Sequence, residues 1–507
     1  MSAYLLGIDL GTSSVKVLLV DETGKVAGSG SAAYPIHHPQ AGMAEQDPGD
    51  WQAAVKVAVR QAVDGGGAKG IQAIGLSSQM HGTLLLDSQE RLLCPAVIWP
   101  DQRSASQVKD ITRLIGAERL IEITGSPLAT GFQAATLCWF QQEQPELWER
   151  VEKILLPKDH LRGWLTGEWA AEPSDGSGSL LLDVHSRQWS TTILEMLGID
   201  PVWLPPIQSS TTFAGRLRPQ IAAELSLPPG IPIVTGAADQ AASLLGVGAI
   251  GSQTLLVNLS TGGQLVLPIR QVDIDRLGRM HTFCSALEPG DGRAAWYKLG
   301  ATLAAGQSLR WLRERVFGLE GDDAYARMTG WAEETPIGAR GLIFLPYLTG
   351  ERTPLMDPQA RGLFLGLTLQ HGRPELVRAL MEGVTFSLYE AYQVLIESGE
   401  RPQRIILAGG GARSRLWRQM VADVFALPVQ HLQLTEGSAL GAAILAGTGV
   451  GLFEASQASQ KWASYEPLID PNLQAHACYM DILEIFRSAY RQNRLDFQRL
   501  EEQSLPG

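Results

Sequence analysis

Two short stretches of this sequence combine hydroxyl groups and glycines between apolar runs, a pattern that suits phosphate binding. GTSS at residues 11–14 lies between YLLGIDL and VKVLLV, and STGG at residues 260–263 lies between TLLVNL and QLVL. Backbone N–H groups and hydroxyls in such turns donate hydrogen bonds to phosphate oxygens, and glycine permits a close approach. An ordinary β-hairpin is the alternative for either turn alone. Two such turns half a chain apart favour the interpretation that they are two loops that bind one polyphosphate. The candidate phosphate-binding residues are Thr12, Ser13, Ser14, Thr261, Gly262 and Gly263.

Asp9 lies inside the first of these apolar runs. An unpaired carboxylate in a buried strand would cost several kcal/mol. Holding Mg²⁺, directly or through water, would offset that cost. The alternative is that Asp9 accepts hydrogen bonds from N–H groups of the turn that follows it. Asp9 is therefore a candidate metal-holding and catalytic acid.

Polar residues follow three further apolar runs, at the strand ends where ligands gather in open α/β sheets. Asp239 follows the run IPIVT and is flanked by small residues that leave room for a substrate. It is the candidate general base, which would accept the proton of an attacking hydroxyl. A helix N-cap is the alternative for Asp239. The candidate substrate contacts are Gln79, Met80, His81, Trp99, Asp101 and Gln240.

A third glycine-rich turn, AGGGA at residues 408–412, stands between a strand pattern and a helical pattern that begins at Ser414. Glycines ahead of a helix N-terminus allow a flat base or a phosphate to lie against the backbone. We interpret Gly409, Gly410 and Gly411 as nucleotide-binding residues on the adenosine side. The GxGxxG matches at 65–70 and 246–251 are predicted to be helix-to-strand connections, because a dinucleotide fingerprint must follow a strand and open a helix.

The elements around these motifs alternate between strand and helix patterns, and the order repeats in the second half of the chain. The helical pattern GSALGAAILAG at 437–447 is rich in small residues and predicts backbone-to-backbone packing against a partner helix across the hinge between the halves, with ordinary tight packing as the alternative. PSDGSG at 173–178 predicts a loop. The remaining strand patterns lie at 26–34, 71–77, 231–235 and 404–408, and the remaining helical patterns at 51–63, 137–156, 161–166, 302–315, 375–395, 414–425 and 479–500.

The length of 507 residues predicts more than one domain. We expect an N-terminal domain at 1–247, a C-terminal domain at 248–470 and a closing helix at 471–507. The net charge of −12 disfavours binding to nucleic acid or to an anionic membrane. The four cysteines form no CxxC pair and suit a reducing cytoplasm. The N-terminus lacks the features of a signal peptide, so we expect a cytoplasmic location.

Eight motifs in this order resemble the FGGY carbohydrate kinases, and most of all the xylulokinases among them: GIDLGTSSVK, SSQMHG, IWPDQR, LPKDHLRGWLTGEW, GAADQAA, FLPYLTGERTP, GLFLGLTLQHGRPELVRALMEG and LAGGGARSRLW. The resemblance extends from Gly7 to about Gly447. It implies an α/β fold of two duplicated actin-like (ribonuclease-H-like) domains around a central cleft that binds ATP and sugar. It also implies that Asp239 is the proton acceptor, that Met80 and His81 contact the sugar, and that Asp9 lies near the metal.

The resemblance implies Mg²⁺-dependent transfer of the γ-phosphoryl group of ATP to the terminal hydroxyl of a ketopentose, with D-xylulose as the first choice. Two departures bear on the fit of the sugar, since xylulokinases often have Asn where this chain has Pro100 and Gln240. Another ketose such as D-ribulose, or a non-catalytic sugar sensor on the same fold, therefore remains an alternative. The expected partners are a sugar and ATP, with no nucleic acid or membrane, in a monomer or homodimer.

Overall fold

The apolar runs of the sequence become strands, and the helical patterns between them become helices. A computed structural model describes residues 3–65, 67–290, 293–433 and 436–504. The strands are β1 Tyr4–Leu10, β2 Ser14–Asp21, β3 Val26–Ala33, β4 Glu45–Gln46, β5 Ile71–Ser78, β6 Leu84–Leu86, β7 Ala96–Val97, β8 Lys153–Leu155, β9 Leu182–Asp183, β10 Gln188–Trp189, β11 Phe213–Arg216, β12 Pro232–Val234, β13 Ala237–Ala238, β14 Thr254–Leu259, β15 Gly263–Ile269, β16 His281–Cys284, β17 Trp296–Thr302, β18 Ile343–Leu345, β19 Leu363–Leu365, β20 Arg404–Ala408 and β21 Val429–His431.

The helices include long amphipathic ones and short connecting ones. They are α1 Pro48–Val63, α2 Ala105–Ile115, α3 Ala117–Thr124, α4 Gln133–Glu143, α5 Pro145–Trp148, α6 Pro157–Thr166, α7 Pro173–Ser179, α8 Thr191–Leu197, α9 Pro219–Leu225, α10 Asp239–Gly246, α11 Gly306–Trp311, α12 Ala324–Glu333, α13 Arg373–Leu395, α14 Arg415–Phe425, α15 Gly437–Gly449, α16 Ala455–Trp462 and α17 Leu473–Ser504. A π-helical turn covers Leu312–Val316, and 3₁₀ turns cover Ala68–Gly70, Pro201–Trp203, Ala339–Gly341 and Gly410–Arg413.

The described residues form two compact units, each assembled from separate stretches of the chain. The first contains the described residues up to Gly251, Pro268–Tyr297 and Glu436–Ser464, and the second contains those of 252–267, 298–435 and 465–507. The expected single boundary after residue 247 differs from this division, because α15 and α16 belong to the first unit. α15 fits there because glycines admit its backbone: a Cβ on Gly7 of β1 would lie 1.9 Å from the Ala439 carbonyl oxygen.

The first unit is built on a mixed sheet with the strand order β11-β12-β5-β1-β2-β3, in which β13 also pairs with β5. β1 runs antiparallel to β2 and parallel to β5, so the turn after β1 lies beside the end of β5. Helix α1 buries Trp51 and the alanines and valines of its apolar face in the same core that contains Leu6 and Ile8 of β1. The sheet therefore delivers Asp9 and the residues after Ser78 to one edge.

The second unit repeats this arrangement. β14 runs antiparallel to β15 and parallel to β20, and β20 runs parallel to β21. In the first unit β1, β2, β5 and β12 have the same relative directions. The expected duplication of an α/β core that opens with a hairpin is confirmed by this match.

Three local predictions differ from the structure. PSDGSG is not a loop but part of α7, because Glu172 caps it by accepting hydrogen bonds from two backbone N–H groups, and its small residues fit a buried site. The pattern at 137–156 is divided among α4, α5 and β8, with Pro145 at the break. The pattern at 302–315 begins as the end of β17, and helix α11 starts only at Gly306.

The closing helix predicted near 479–500 is α17, which begins earlier and belongs to the second unit. Tyr479, Leu483 and Phe486 are buried, as their helical spacing requires. None of the helices among the described residues is both long enough and apolar enough to cross a bilayer.

Candidate active site

Asp9 lies at the end of β1, between Lys16 of β2 and Ser77 of β5 in the strand register. The Ser77 hydroxyl donates a hydrogen bond of 2.5 Å to Asp9 Oδ1. Burial raises the pKa of Asp9, and the Ser77 bond and the Lys16 charge oppose that rise. In the turn that follows, the Gly11 N–H donates to the Ser14 carbonyl oxygen at 3.1 Å. The turn is thus closed by its own backbone hydrogen bond, and the Asp9 carboxylate is held by Ser77 of the neighbouring strand β5.

The turn after β1 is held by hydrogen bonds from three other parts of the first unit, two from side chains and one from the backbone. The Thr12 carbonyl oxygen accepts a hydrogen bond from Gln46 Nε2 at 2.7 Å, and Thr12 Oγ1 accepts one from Trp99 Nε1 at 2.9 Å. The Ser13 carbonyl oxygen accepts a hydrogen bond from the Tyr34 N–H at 3.2 Å. These bonds fix the path of the loop and leave Ser13 exposed.

Asp239 is the first residue of α10, and the N-cap position belongs to Ala238. The structure therefore does not support the N-cap alternative for Asp239. The Gln240 N–H donates to Asp239 Oδ1 at 2.7 Å. Burial, followed by the negative charges of Asp9 and Asp175, raises the pKa of Asp239 to about 8, and the Gln240 bond opposes the rise. A carboxyl with a pKa near neutral pH suits a general base.

Met80 and His81 follow β5 and are packed among aromatic rings. His81 has a φ of 73°, and its Nδ1 lies 2.6 Å from the Gly178 carbonyl oxygen. The His81 and Phe132 rings lie 4.2 Å apart, and the Tyr297 hydroxyl lies 3.8 Å from Met80 Sδ. A positive φ at a non-glycine residue is a strained conformation that is often found at binding sites. The local structure thus holds the His81 ring in one orientation.

Sequence reasoning did not identify the aromatic residues around this pair. Phe132, His281 and Phe283 form ring contacts with His81 or with one another, and Phe283 also contacts Tyr297. They come from distant parts of the chain and none stands in a polar strand-end motif. The cluster of rings is visible only after folding.

Gln79 and Trp99 lie beside the first turn, as expected for residues of one site. Gln79 donates through Nε2 to Gln46 Oε1 at 2.8 Å, while its buried Oε1 has no hydrogen-bond partner. Trp99 is 45% exposed and reaches Thr12 through its indole N–H. An unpaired buried acceptor and an exposed indole face are both suitable for contact with a hydroxylated ligand.

Asp101 is fully buried, and its carboxylate binds protein groups. Its Oδ2 accepts a hydrogen bond from the Ala44 N–H at 2.7 Å, and Arg103 binds it through Nε at 2.9 Å. Arg103 also reaches Glu45 at 2.7 Å. These contacts hold the loop that presents Trp99. Contact between Asp101 and a substrate stays a prediction.

In the second unit the structure brings together the other two glycine turns. β14 and β20 pair with Asn258 opposite Ala408, so the turn at 260–262 and the turn at 409–411 leave neighbouring parallel strands at the same edge. The Ser260 carbonyl oxygen accepts a hydrogen bond from the Gly306 N–H at 2.8 Å, which anchors the first of these turns on the start of α11. Ser260 and Thr261 are exposed, as are Gly409 and Gly410.

Gly409 has a structural reason to be glycine. Its φ is +87°, and a Cβ there would lie 2.5 Å from Asn258 Oδ1. Gly410, in contrast, would place a Cβ in open space. The tight turn therefore depends on Gly409. At Gly410 the absence of a side chain leaves the backbone accessible to a ligand. This arrangement fits the predicted contact of a flat ligand with the backbone.

Asp9, Asp239, Thr12–Ser14 and the candidate sugar contacts belong to the first unit, while Thr261–Gly263 and Gly409–Gly411 belong to the second. The structure thus collects the predicted residues into two groups. That the two groups serve one ligand stays a prediction.

The described residues include no group of three His, Cys, Asp or Glu side chains that could hold a metal ion by themselves. Mg²⁺ in phosphoryl-transfer sites is commonly bound by one or two carboxylates together with phosphate oxygens. Asp9, with a single carboxylate beside the first turn, fits that donor set, so Mg²⁺ carried by a nucleotide is compatible with these residues.

Comparisons with known proteins agree with these observations. The sequence matches the N-terminal domain of the FGGY family of carbohydrate kinases over residues 4–246 and the C-terminal domain over residues 272–450. It is 35% identical to the xylulose kinase of Bacillus subtilis, with 96% of each chain covered. It is 33% identical to the gluconokinase of the same organism, with 88% of this chain and 87% of the relative covered.

A ligand-bound xylulose kinase from Lactobacillus acidophilus has a similar solved structure, with a TM-score of 0.91 and 29% sequence identity. The match covers 98% of this chain and 100% of that one. The expected fold class, two duplicated actin-like domains, is confirmed by this similarity and by the repeated sheets.

Proposed function

Because this chain belongs to the FGGY family of carbohydrate kinases, we propose that it transfers the γ-phosphoryl group of ATP to the terminal hydroxyl of D-xylulose. The observation that carries the proposal is Asp239, a half-buried carboxyl at the start of α10 whose pKa is raised to about 8. The relatives support the choice of sugar, since xylulose kinases align with this chain over nearly its whole length.

In the proposed reaction Asp239 accepts the proton of the terminal sugar hydroxyl while the oxygen of that hydroxyl forms a bond to the γ-phosphorus. The bond from this phosphorus to the β,γ-bridging oxygen breaks, and ADP leaves. A Mg²⁺ ion carried by the nucleotide would be held by Asp9 and would neutralise charge on the phosphate oxygens. Positioning and charge stabilisation supply most of the rate in such transfers.

The remaining predicted residues bind and orient the two substrates in this proposal. Thr12, Ser13 and Ser14 donate to phosphate oxygens from the first unit, and Thr261–Gly263 do so from the second. The backbone at Gly409–Gly411 supports the adenosine. The residues that contact the sugar in this proposal are Gln79, Met80, His81, Trp99, Asp101 and Gln240. Asp101 also holds the Trp99 loop through Ala44 and Arg103.

A second candidate substrate is a different polyol, either another ketose such as D-ribulose or the sugar acid gluconate. Two observations favour keeping it. This chain has Gln240 and Pro100 at positions where xylulokinases often have Asn. In addition, the gluconokinase of Bacillus subtilis is 33% identical to this chain. Gln240 is itself a candidate sugar contact, and Pro100 lies between two others, Trp99 and Asp101. An altered side chain at such a site changes which hydroxyls are hydrogen-bonded.

The test is coupled ATP turnover by purified protein with Mg²⁺ and a panel of D-xylulose, D-ribulose, L-ribulose, L-xylulose, glycerol, gluconate and no sugar. We expect the highest kcat/KM with D-xylulose. Asp239→Asn should lower kcat by about 10²- to 10⁴-fold while ATP still binds. If another sugar gives the highest kcat/KM, the proposed mechanism stands and the proposed substrate is replaced by that sugar. ATP binding without turnover on any sugar would support the sensor alternative and overturn the proposed function.

A further inference from the structure

A cluster of five charged side chains is buried in the first unit, and none of the five is among the predicted catalytic or binding residues. Each member is at most 1% exposed, and the members are Lys158, Asp159, Arg162, Glu172 and Asp175. Buried ion pairs are a poor source of stability, because the loss of hydration often exceeds the gain from the pair. A cluster of this size therefore calls for another explanation.

Glu172 is the centre of this cluster. Its Oε1 accepts hydrogen bonds from Lys158 Nζ at 2.6 Å, from Ser174 Oγ at 2.8 Å and from the Asp175 N–H at 2.8 Å. Its Oε2 accepts hydrogen bonds from the Ser174 N–H at 2.7 Å and from Ser210 Oγ at 3.1 Å. The carboxylate of Glu172 thus orients both serines with charge-assisted hydrogen bonds, which are stronger than neutral ones.

Both serines hold the backbone that leads to Asp239. Ser174 Oγ accepts a hydrogen bond of 2.9 Å from the Ala238 N–H. The Ser210 carbonyl oxygen accepts one of 2.9 Å from the Gly236 N–H. The Ser174 bond attaches to Ala238, the residue directly before Asp239 and the N-cap of helix α10.

The same segment is held by a second member of the cluster. Arg162 donates through Nη1 to the Thr235 carbonyl oxygen at 3.0 Å and pairs through Nη2 with Asp159 at 3.0 Å. Gly236 has a φ of +85°, and a Cβ there would lie 2.2 Å from the Leu76 carbonyl oxygen. The backbone just before Asp239 therefore has a conformation and a close contact that only glycine allows at Gly236, and Arg162 bonds directly to the residue before it.

We propose that Glu172 and Ser174 are positioning residues that fix the carboxyl group of Asp239 for proton transfer, an inference that rests on the proposed function. The described hydrogen bond of that carboxyl is to the backbone N–H of Gln240. Its orientation consequently follows the backbone, and the backbone is set by the Ser174 hydroxyl. The rival explanation is that the cluster only stabilises the first unit.

Ser174→Ala removes the hydroxyl that joins Glu172 to the Ala238 N–H. A matched control is Ser179→Ala on the same helix, because Ser179 is equally buried and its hydroxyl bonds locally, to Gly176 and Leu181. We expect Ser174→Ala to lower kcat at least about tenfold, with little change in KM for ATP, since small misplacements of a reacting group are costly. Ser179→Ala should change kcat less than about twofold.

A second pair of variants separates the hydroxyl from the volume of the side chain. Ser174→Thr and Ser174→Val add nearly the same volume, but only threonine keeps the hydroxyl. We expect kcat of Ser174→Thr to be at least about fivefold higher than kcat of Ser174→Val. The reason is that the loss of a hydrogen bond worth ~1 kcal/mol slows a rate by about that factor. This comparison decides the question if Ser174→Ala does not fold.

The decisive measurement combines Ser174→Ala with Asp239→Asn. If Ser174 acts through Asp239, the double variant should be no slower than Asp239→Asn alone, because the group being positioned is already gone. An equal loss of kcat from Ser174→Ala in both backgrounds, or equal kcat for Ser174→Ala and Ser179→Ala, would overturn the inference. If instead Asp239→Asn itself keeps full activity on the preferred sugar, the proposed function fails and not only this inference.

Discussion

The candidate site depends on individual acids that the fold places where their negative charge is unfavourable. Burial raises the pKa of Asp9, of Asp175 to about 7 and of Asp239 to about 8. The charges of Asp9 and Asp175 add to the effect at Asp239. A group in this state accepts a proton readily, which a general base must do, but its ionised form destabilises the folded chain.

The raised pKa of Asp239 predicts the pH dependence of turnover. Only the carboxylate can accept a proton, so kcat/KM for the sugar should fall as the pH drops below the raised pKa of Asp239, and the fall should approach tenfold per pH unit well below that pKa. The measurement is kcat/KM between pH 5.5 and 9 with buffers of matched ionic strength. The residual activity of Asp239→Asn serves as the control and should lack this limb. A wild-type kcat/KM that stays constant between pH 6 and 8 would contradict the prediction.

The same acid should reduce the stability of the folded chain at alkaline pH. In the folded chain the pKa of Asp239 is about 8, above the ordinary value of 3.8 that applies to the unfolded chain. Between these two pH values the unfolded chain has lost the proton that the folded chain retains, so the free energy of unfolding falls as the pH rises. Asp239→Asn removes the charge and should raise Tm at pH 8.5 by roughly 2 °C or more, with a smaller effect at pH 4.5. Thermal unfolding of both proteins at the two pH values measures this. An unchanged or lower Tm at pH 8.5 would contradict the raised pKa of Asp239.

At the scale of elements, the small residues of α15 explain its position. A Cβ on Gly441 would lie 1.8 Å from the Ala242 carbonyl oxygen of α10, and one on Gly246 of α10 would lie 1.9 Å from the Gly437 carbonyl oxygen of α15. The predicted backbone-to-backbone contact with a partner helix is confirmed, and that partner is the helix that starts with Asp239. Both helices belong to the first unit, so this contact is not the predicted one across a hinge. The placement of α10 thus depends on its contact with α15 as well as on the segment before it.

Gly441→Ala should destabilise the chain, although alanine favours helices. The added methyl would force α10 and α15 apart, at a cost of about 1–3 kcal/mol. Gly330→Ala in α12 is the control, because a Cβ there meets nothing within 4 Å. That variant should be neutral or gain up to about 1 kcal/mol from helix propensity. Chemical denaturation measures both, and equal effects of the two variants would show that the close contact is not formed.

On the scale of the whole molecule, the two compact units and the linear order of the chain do not coincide. The family domains divide the sequence at about residues 246–272, whereas the first compact unit includes α15 from the end of the second family domain and α16, which follows that domain. α15 packs against β1 and β5, where Gly7 and Gly75 leave room for its backbone. The first unit is therefore completed by a segment synthesised almost 200 residues after Gly251.

This interleaving predicts the behaviour of fragments. Residues 1–251 alone lack α15, so the faces of β1 and β5 that it covers would be exposed to water. We expect this fragment to be insoluble or to unfold without cooperativity, and co-expression with residues 252–507 to recover soluble material. Solubility and circular dichroism during thermal unfolding measure the outcome. Cooperative unfolding of the isolated 1–251 fragment would contradict this account of the first unit.

Much of the site could be predicted from local sequence, because turns, strand ends and glycine positions depend on neighbouring residues. The two hairpins, the glycine turn at 409–411, the strand that ends at Asp9 and the helix that begins at Asp239 follow from the apolar periodicity and from polar residues at its interruptions. The duplication was visible because each half of the chain opens with the same pattern.

Long-range packing decided the rest, since it depends on which distant surfaces fit together. PSDGSG has the composition of a loop but becomes the buried helix α7, because Glu172 caps it and Lys158 pairs with that carboxylate. The hydrogen bonds of Asp101 to Ala44 and Arg103, which hold the Trp99 loop, could not be read from its motif, and its contact with a substrate stays a prediction. The rings around His81, the burial that raises the pKa of Asp239 and the place of α15 in the first unit likewise exist only in the folded chain, where segments far apart in sequence exclude water together.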